Sequence, residues 1–275
     1  MERVIIFLIG LCVGSFLNVL IYRLPRGLGF VKGRSFCPHC KKKIKWFDNV
    51  PLISFILLKG RCRVCHSPIS WRYPVVELTT GILFVLAAQN KLGRLGLLRV
   101  EDFLLTILLF SGLIVIFFID LEHQIIPDEI VLPLIALFSL RQLFPLPTFF
   151  SNFSLLTSHF STHFSLLTPT LNPFITATIS SLFLYSIYFF TKGKGMGLGD
   201  VKLAFLMGLV LGFPQVVVAF YLAFLTGAAV GIILILARKA KFGQKIPFGP
   251  FLAFSTIITC LWGEKIFSLA LKALF

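Results

Sequence analysis

Four cysteines fall in two pairs, Cys37-Pro-His-Cys40 and Cys62-Arg-Val-Cys65, with 21 residues between the pairs. Two sulfurs three residues apart fit one tight turn and can share a metal ion. Two such knuckles supply the tetrahedron of thiolates that zinc prefers. Four thiolates leave no open position for water, so this zinc reads as structural. Three other arrangements compete. His39 or His66 could replace one cysteine as ligand, the run Cys62-Arg-Val-Cys65-His66 fits covalent haem attachment, and disulfides would suit an oxidising compartment. The haem reading leaves Cys37 and Cys40 without a role. Cys12 and Cys260 fall inside apolar runs and read as core residues.

Carboxylates are scarce, 11 in 275 residues, so each one beside an apolar run needs a reason. Asp120 ends the run Phe117-Phe118-Ile119. An acid at a helix C-terminus faces the negative end of the dipole, and a carboxylate at the edge of an apolar span is a functional candidate by default. The plain alternative is a polar end to the helix. Asp200 follows Gly195-Met-Gly197-Leu-Gly199 and opens another apolar run. It could be an ordinary N-cap, with Lys202 as its ion-pair partner. Yet three alternate glycines cost backbone entropy and imply a sharp bend or a close approach. Two aspartates in one site share a proton, because like charges at close range cannot both ionise. The charged one takes a proton from water while the neutral one polarises a carbonyl. Peptide hydrolysis by that route needs neither metal nor serine, and the chain has no Gly-x-Ser-x-Gly or His-Glu-x-x-His.

The elements that position these groups follow from composition. Apolar residues make up 57% of the chain, charged residues 13%, and mean hydropathy is +0.94. Soluble domains carry about 45–50% apolar and about 25% charged residues, so a soluble enzyme and a disordered chain are both excluded. Apolar runs at 4–21, 74–90, 103–119, 130–146, 173–190, 201–213, 215–237 and 248–270 predict spanning helices. Phe213-Pro214 separates the sixth from the seventh. The first run has no small-residue cleavage site after it and reads as a retained helix, not a signal peptide. The expected fold is an all-α polytopic membrane protein of about eight transmembrane helices with a small cytoplasmic zinc-binding loop. The expected division is a first helix at 1–21, the loop at 22–73 and a membrane core at 74–275. A loop of 52 residues has too little core to fold alone, and zinc would supply the missing stability.

The net charge is +15, and residues 22–73 hold 12 of the 26 lysines and arginines. With that loop inside, 19 basic residues lie on the cytoplasmic side and 7 outside, as the positive-inside rule requires. Both termini then lie outside, and both aspartates meet the cytoplasmic membrane edge. The basic excess orients the chain and attracts anionic lipid; no nucleic-acid partner is implied. The stretch 145–173 repeats Phe-Ser-Leu-Leu-Thr at 153–157 and 164–168, a spacing of three helical turns. It reads as a membrane-hugging or disordered loop. The sequence assigns no oligomeric state.

These motifs, taken in order, resemble the type IV prepilin peptidase family, the GxGD class of membrane aspartic proteases. The resemblance rests on Gly14-Ser-Phe-Leu-Asn18-Val and Tyr22-Arg-Leu-Pro25, the two cysteine pairs, and Phe47-Asp-Asn49-Val-Pro51-Leu-Ile-Ser54. It continues through Arg72-Tyr-Pro-Val-Val-Glu77-Leu, Asp120 to Asp128, Gly197-Leu-Gly199-Asp200-Val-Lys202 and Ile246-Pro-Phe-Gly-Pro250. It implies a bacterial inner-membrane enzyme that cuts the leader from prepilins and type II secretion pseudopilins, after a Gly and before a Phe. Asp120 and Asp200 are then the catalytic pair, and Asp128 is local structure beside Pro127. It further implies N-methylation of the new amino terminus from S-adenosylmethionine, with Asn49, Gly60, Arg72 and Glu77 as cofactor-binding candidates. Glu77 and Arg72 could equally form a structural pair, and Ser15 and Asn18 could simply hydrogen-bond between helices. A multi-span ion or solute transporter with intramembrane aspartates is the rival function. It predicts inverted repeats, which the sequence lacks, and gives the cysteine loop no role, as does an inert zinc-bearing scaffold for the Gly-x-Gly-Asp.

Overall fold

A computed structural model describes residues 1–29, 35–95, 100–143, 173–193, 195–239 and 246–274. The Phe-Ser-Leu-Leu-Thr repeat lies outside the described residues. Among those described, the elements are helical, with two isolated β-bridges, Phe36 to Lys43 and Arg61 to Pro68. In chain order the helices are α1 (Glu2–Arg23), a short α2 (Ile53–Leu57), α3 (Arg72–Leu95), α4 (Val100–His123), α5 (Asp128–Leu143), α6 (Pro173–Phe190), α7 (Leu198–Leu211), α8 (Gln215–Leu236) and α9 (Gly249–Leu274).

Each expected span overlaps one of the longer helices. Five segments are long and apolar enough to cross a membrane: Glu2–Arg26, Phe103–His123, Pro173–Phe190, Gln215–Leu236 and Gly249–Ala270. α5 and α7 have only 16 and 14 residues. At 1.5 Å per residue they reach about 24 and 21 Å, less than an apolar thickness of about 30 Å. α7 ends at Gly212, whose φ of +67° is open to glycine, and Pro214 caps the start of α8, so the sixth and seventh runs are separate helices. Pro74 and Pro250 each lie in the first turn of their helix, where the missing N–H costs no hydrogen bond.

The chain divides into two compact units, Met1–Val115 and Ile116–Phe275. In the first, α1 packs against α3. A Cβ added at Gly10 would lie 2.7 Å from the Gly81 Cα, and one added at Gly14 would lie 2.7 Å from the Glu77 Cα. The glycines therefore let two backbones meet, as small residues do between membrane helices. This approach brings Asn18 to α3, where its side-chain amide donates to the Tyr73 carbonyl at 3.1 Å. Leu17 and Ile21 of α1 and Val76 and Phe84 of α3 are all buried.

In the second unit α7 is the central helix, touching α5, α6, α8 and α9. Val201, Leu203, Ala204, Leu206, Met207, Leu209, Val210 and Leu211 are all buried, so it is apolar on every face. Gly208 lets it approach α6, since a Cβ there would lie 2.6 Å from the Ala177 Cα. Asp200 stands in its first turn and Asp120 in the last turn of α4.

Replacing Gly14 by Ala forces a methyl group against a backbone that cannot yield. We expect a loss of about 1–3 kcal/mol, read as a lower thermal midpoint of the purified chain in detergent. Gly29→Ala, with no described atom within 4 Å of its added Cβ, should leave that midpoint unchanged.

Candidate functional site

The cysteines come together as one cluster. The sulfurs of Cys37, Cys40, Cys62 and Cys65 all lie within 4.8 Å of one another, and those of Cys37 and Cys65 are 3.8 Å apart. A tetrahedron with Zn–S bonds of about 2.3 Å has edges of about 3.8 Å, so the four sulfurs fit zinc. Local backbone chemistry makes each half. Cys37 N–H donates to the Lys42 carbonyl at 3.0 Å, and Lys41 N–H to the Cys37 carbonyl at 2.8 Å. The second knuckle repeats the pattern, with Cys62 N–H to Ser67 O at 2.9 Å and His66 N–H to Cys62 O at 3.0 Å. Lys41 and His66 hold matching left-handed positions, φ +57° and +56°, just after the second cysteine of each pair. His66 is thus a turn residue, and neither it nor His39 joins the cluster. Ser67 Oγ lies 3.1 Å from Cys65 Sγ, and this hydrogen bond pushes the Cys65 thiol down to about 6, toward the thiolate a metal needs. Arg63 fastens the second knuckle to the Trp46–Asn49 turn by a forked bond to Asp48, with Nη2 2.6 Å from Oδ1.

Below the knuckles, still within the first unit, is a cavity of about 640 Å³. Asn18, Asn49, Arg72, Tyr73 and Glu77 line it, along with Cys37 and Cys62. Glu77 is 8% exposed, and its Oε2 accepts the Leu52 N–H at 2.9 Å and a bond from the Ser15 side chain. Leu52 and Ser15 are therefore the neighbours that hold Glu77. The Arg72 guanidinium stands 5.0 Å over the Tyr73 ring. Gly60 does not line the cavity. It closes the turn after α2 at φ +67°, donating to the Phe55 carbonyl. Sequence reasoning missed Arg23, which is 6% exposed, lines the cavity and donates to the Gly29 carbonyl. A basic residue directly after an apolar run reads first as an interfacial anchor.

The two aspartates come together in the second unit. Asp120 is 5% exposed and Asp200 is 7% exposed, and the carboxylates are close enough to interact electrostatically. Asp200 Oδ2 accepts the Gly197 N–H at 3.0 Å. Asp120 accepts the Gly249 N–H from the start of α9. Lys202 does not pair with Asp200. Its ammonium lies 2.7 Å from Asp128 Oδ1, tying α5 to α7.

Residues 8–90 match the bacterial peptidase A24 N-terminal domain, and residues 107–232 match the type IV leader peptidase family. The chain belongs to the type IV leader peptidase family. The cysteine cluster and the cavity fall in the first matched region, and both aspartates fall in the second. Curated relatives named prepilin leader peptidase/N-methyltransferase include one from Aeromonas hydrophila, 35% identical over 95% of this chain and 91% of its own length. Another, from Pseudomonas aeruginosa, is 34% identical over 94% of this chain and 90% of its own length. A third, from Bacillus subtilis, is 31% identical over 98% of this chain and 97% of its own length. No solved structure matches the chain.

Elemental analysis of the protein purified without chelator should find about one zinc per chain. Cys37→Ser or Cys65→Ser should lose most of it on dialysis against a mild chelator, and Cys12→Ser should retain it.

Proposed function

We propose that this chain cuts the leader from prepilins and type II secretion pseudopilins, after a Gly and before a Phe, at the cytoplasmic face of the bacterial inner membrane, and then N-methylates the new amino terminus. One observation carries the reading: two buried aspartates from distant helices meet in one site, in a chain whose relatives bear this enzyme's name. The family membership does not favour the transporter.

Asp120 and Asp200 are the catalytic pair. With one proton between them, the charged carboxylate takes a proton from a water molecule as its oxygen bonds to the scissile carbonyl carbon. The protonated carboxyl donates to the carbonyl oxygen. Collapse breaks the C–N bond, and the proton passes to the leaving amine, which becomes the mature amino terminus. The amides of Gly197 and Gly249 fix each carboxylate by one oxygen and leave the other free to work.

For methyl transfer we assign the first-unit cavity. Its volume suits a cofactor-sized ligand. Asn18 contributes a buried Oδ1 with no hydrogen-bond partner among the described residues, and Glu77 contributes a carboxylate, both suited to a cationic ligand. Asn49 and Arg72 complete the set, and Gly60 supports the turn beside it. S-adenosylmethionine, when bound, supplies an electrophilic methyl group to the freed amine. Cys37, Cys40, Cys62 and Cys65 would hold a zinc ion, which would shape the cavity wall and supply no chemistry of its own. On this reading the loop 22–73 serves methyl transfer and the core 74–275 serves proteolysis. About eight spans cross the membrane with both termini outside, and the basic loop rests on anionic lipid.

Asp120→Asn and Asp200→Asn should each lower cleavage of a Gly–Phe prepilin in detergent by at least about 1000-fold, while methylation of pre-cut pilin continues. Glu77→Gln should do the reverse, sparing cleavage and lowering methylation at least about 10-fold. Mass spectrometry of the product's amino terminus reads both. Cleavage that survives either Asn substitution would sink the dyad.

A further inference from the structure

The sequence marks Gly199 and Asp200 as exceptional but treats Ile246-Pro-Phe-Gly-Pro250 only as a loop motif. The structure gives that loop a place at the dyad. Gly249 begins α9 and donates its N–H to Asp120. A Cβ built on Gly249 would lie 2.6 Å from Asp120 Oδ2, 3.1 Å from its Cγ and 3.0 Å from the Ile126 Cδ1. The three described atoms nearest a Cβ built on Gly199, its chain neighbours aside, all belong to Ile126: Cβ at 2.8 Å and Cγ1 and Cδ1 at 3.3 Å. Two glycines from separate helix starts thus vacate the space that Ile126, in the α4–α5 connection, fills. At Gly249 the nearest of these atoms is a carboxylate oxygen of Asp120.

We propose that Gly249 is a positioning residue for Asp120: its absent side chain lets the carboxylate seat against the start of α9, with Ile126 as the apolar wall behind it. The proposal rests on the dyad reading above. Any side chain at 249 occupies the carboxylate's place. The Asp120 oxygen is the end of a side chain and yields first, so the carboxylate rotates away from the amide and from Asp200. Substrate binding is untouched and the chemical step suffers. At 199 the same methyl group presses on Ile126 and leaves the carboxylates where they are.

The experiment compares full-length Gly199→Ala and Gly249→Ala, each alone and combined with Ile126→Ala, with Asp120→Asn as reference, on a prepilin substrate. We expect Gly249→Ala to lower kcat at least about 100-fold with KM unchanged, and Ile126→Ala not to restore it. Ile126→Ala should restore Gly199→Ala in part, because it removes the Cγ1 and Cδ1 contacts and keeps the Cβ at 2.8 Å. Wild-type cleavage by Gly249→Ala, or its recovery with Ile126→Ala, overturns the proposal while an inactive Asp120→Asn keeps the dyad. Normal cleavage by Asp120→Asn removes the dyad and the proposal with it. Stability supplies a second readout should Gly249→Ala fail to fold. Asp120→Ala/Gly249→Ala should regain the thermal midpoint that Gly249→Ala loses, since deleting the carboxylate makes room for the methyl group. No recovery in that pair also overturns it.

Discussion

Every buried carboxylate described at the two sites is held by a backbone amide from the start of a helix. Leu52, just before α2, serves Glu77; Gly197, the N-cap of α7, serves Asp200; Gly249, the first residue of α9, serves Asp120. Taking a carboxylate out of water costs several kcal/mol unless donors replace the lost solvent. The first amides of a helix have no partner within it and carry the positive end of its dipole. Matching buried acids to helix starts therefore satisfies two needs at once. It also avoids a cationic partner, which would hold a carboxylate as an ion pair and remove it from proton transfer. Lys202 illustrates the point, since it pairs with the half-exposed Asp128 and leaves its near neighbour Asp200 alone.

This arrangement demands that backbones come close, and the glycines follow from that demand. Leu52 reaches Glu77 with its own Cβ in place, but the start of α9 can reach Asp120 only if no Cβ intervenes. Gly249 meets that condition at Asp120, and Gly14 meets its counterpart where α1 crosses α3 at Glu77. The same economy explains the short α7. It is enclosed by α5, α6, α8 and α9 and need not match the thickness of an apolar layer by itself. Its task is to place Asp200, and burial on every face fixes it for that task.

Much of this was legible in the sequence. The cysteine spacing predicted the cluster because the knuckle is local chemistry, set by turns of a few residues. The helices were legible as apolar runs, and Asp120 and Asp200 stood out as acids at the edges of such runs. Long-range pairing was not legible. Lys202 lies two residues from Asp200, yet it reaches Asp128 across 74 positions. The expected contributor Gly60 is a turn glycine, because a glycine that supports a turn looks the same in sequence as one that admits a ligand. Gly249 and Ile126 lay within quoted motifs without a role, for the converse reason. Neither has chemistry of its own, and their part depends on α4 and α9 meeting.

The division of the chain into two compact units bears on the order of events. The cavity and the cysteine cluster are built within the first unit, and the aspartate pair is built within the second. The two reactions share one atom, the nitrogen of the residue after the scissile bond. Before cleavage that nitrogen is an amide, its lone pair delocalised into the carbonyl, and it is no nucleophile for a methyl group. Proteolysis alone turns it into an amine. Cleavage must therefore precede methylation on chemical grounds, whatever the affinities of the two sites. Separate construction gives each site its own electrostatics: helix-start amides meet two acids in one, and Glu77 and Asn18 line a cavity of about 640 Å³ in the other.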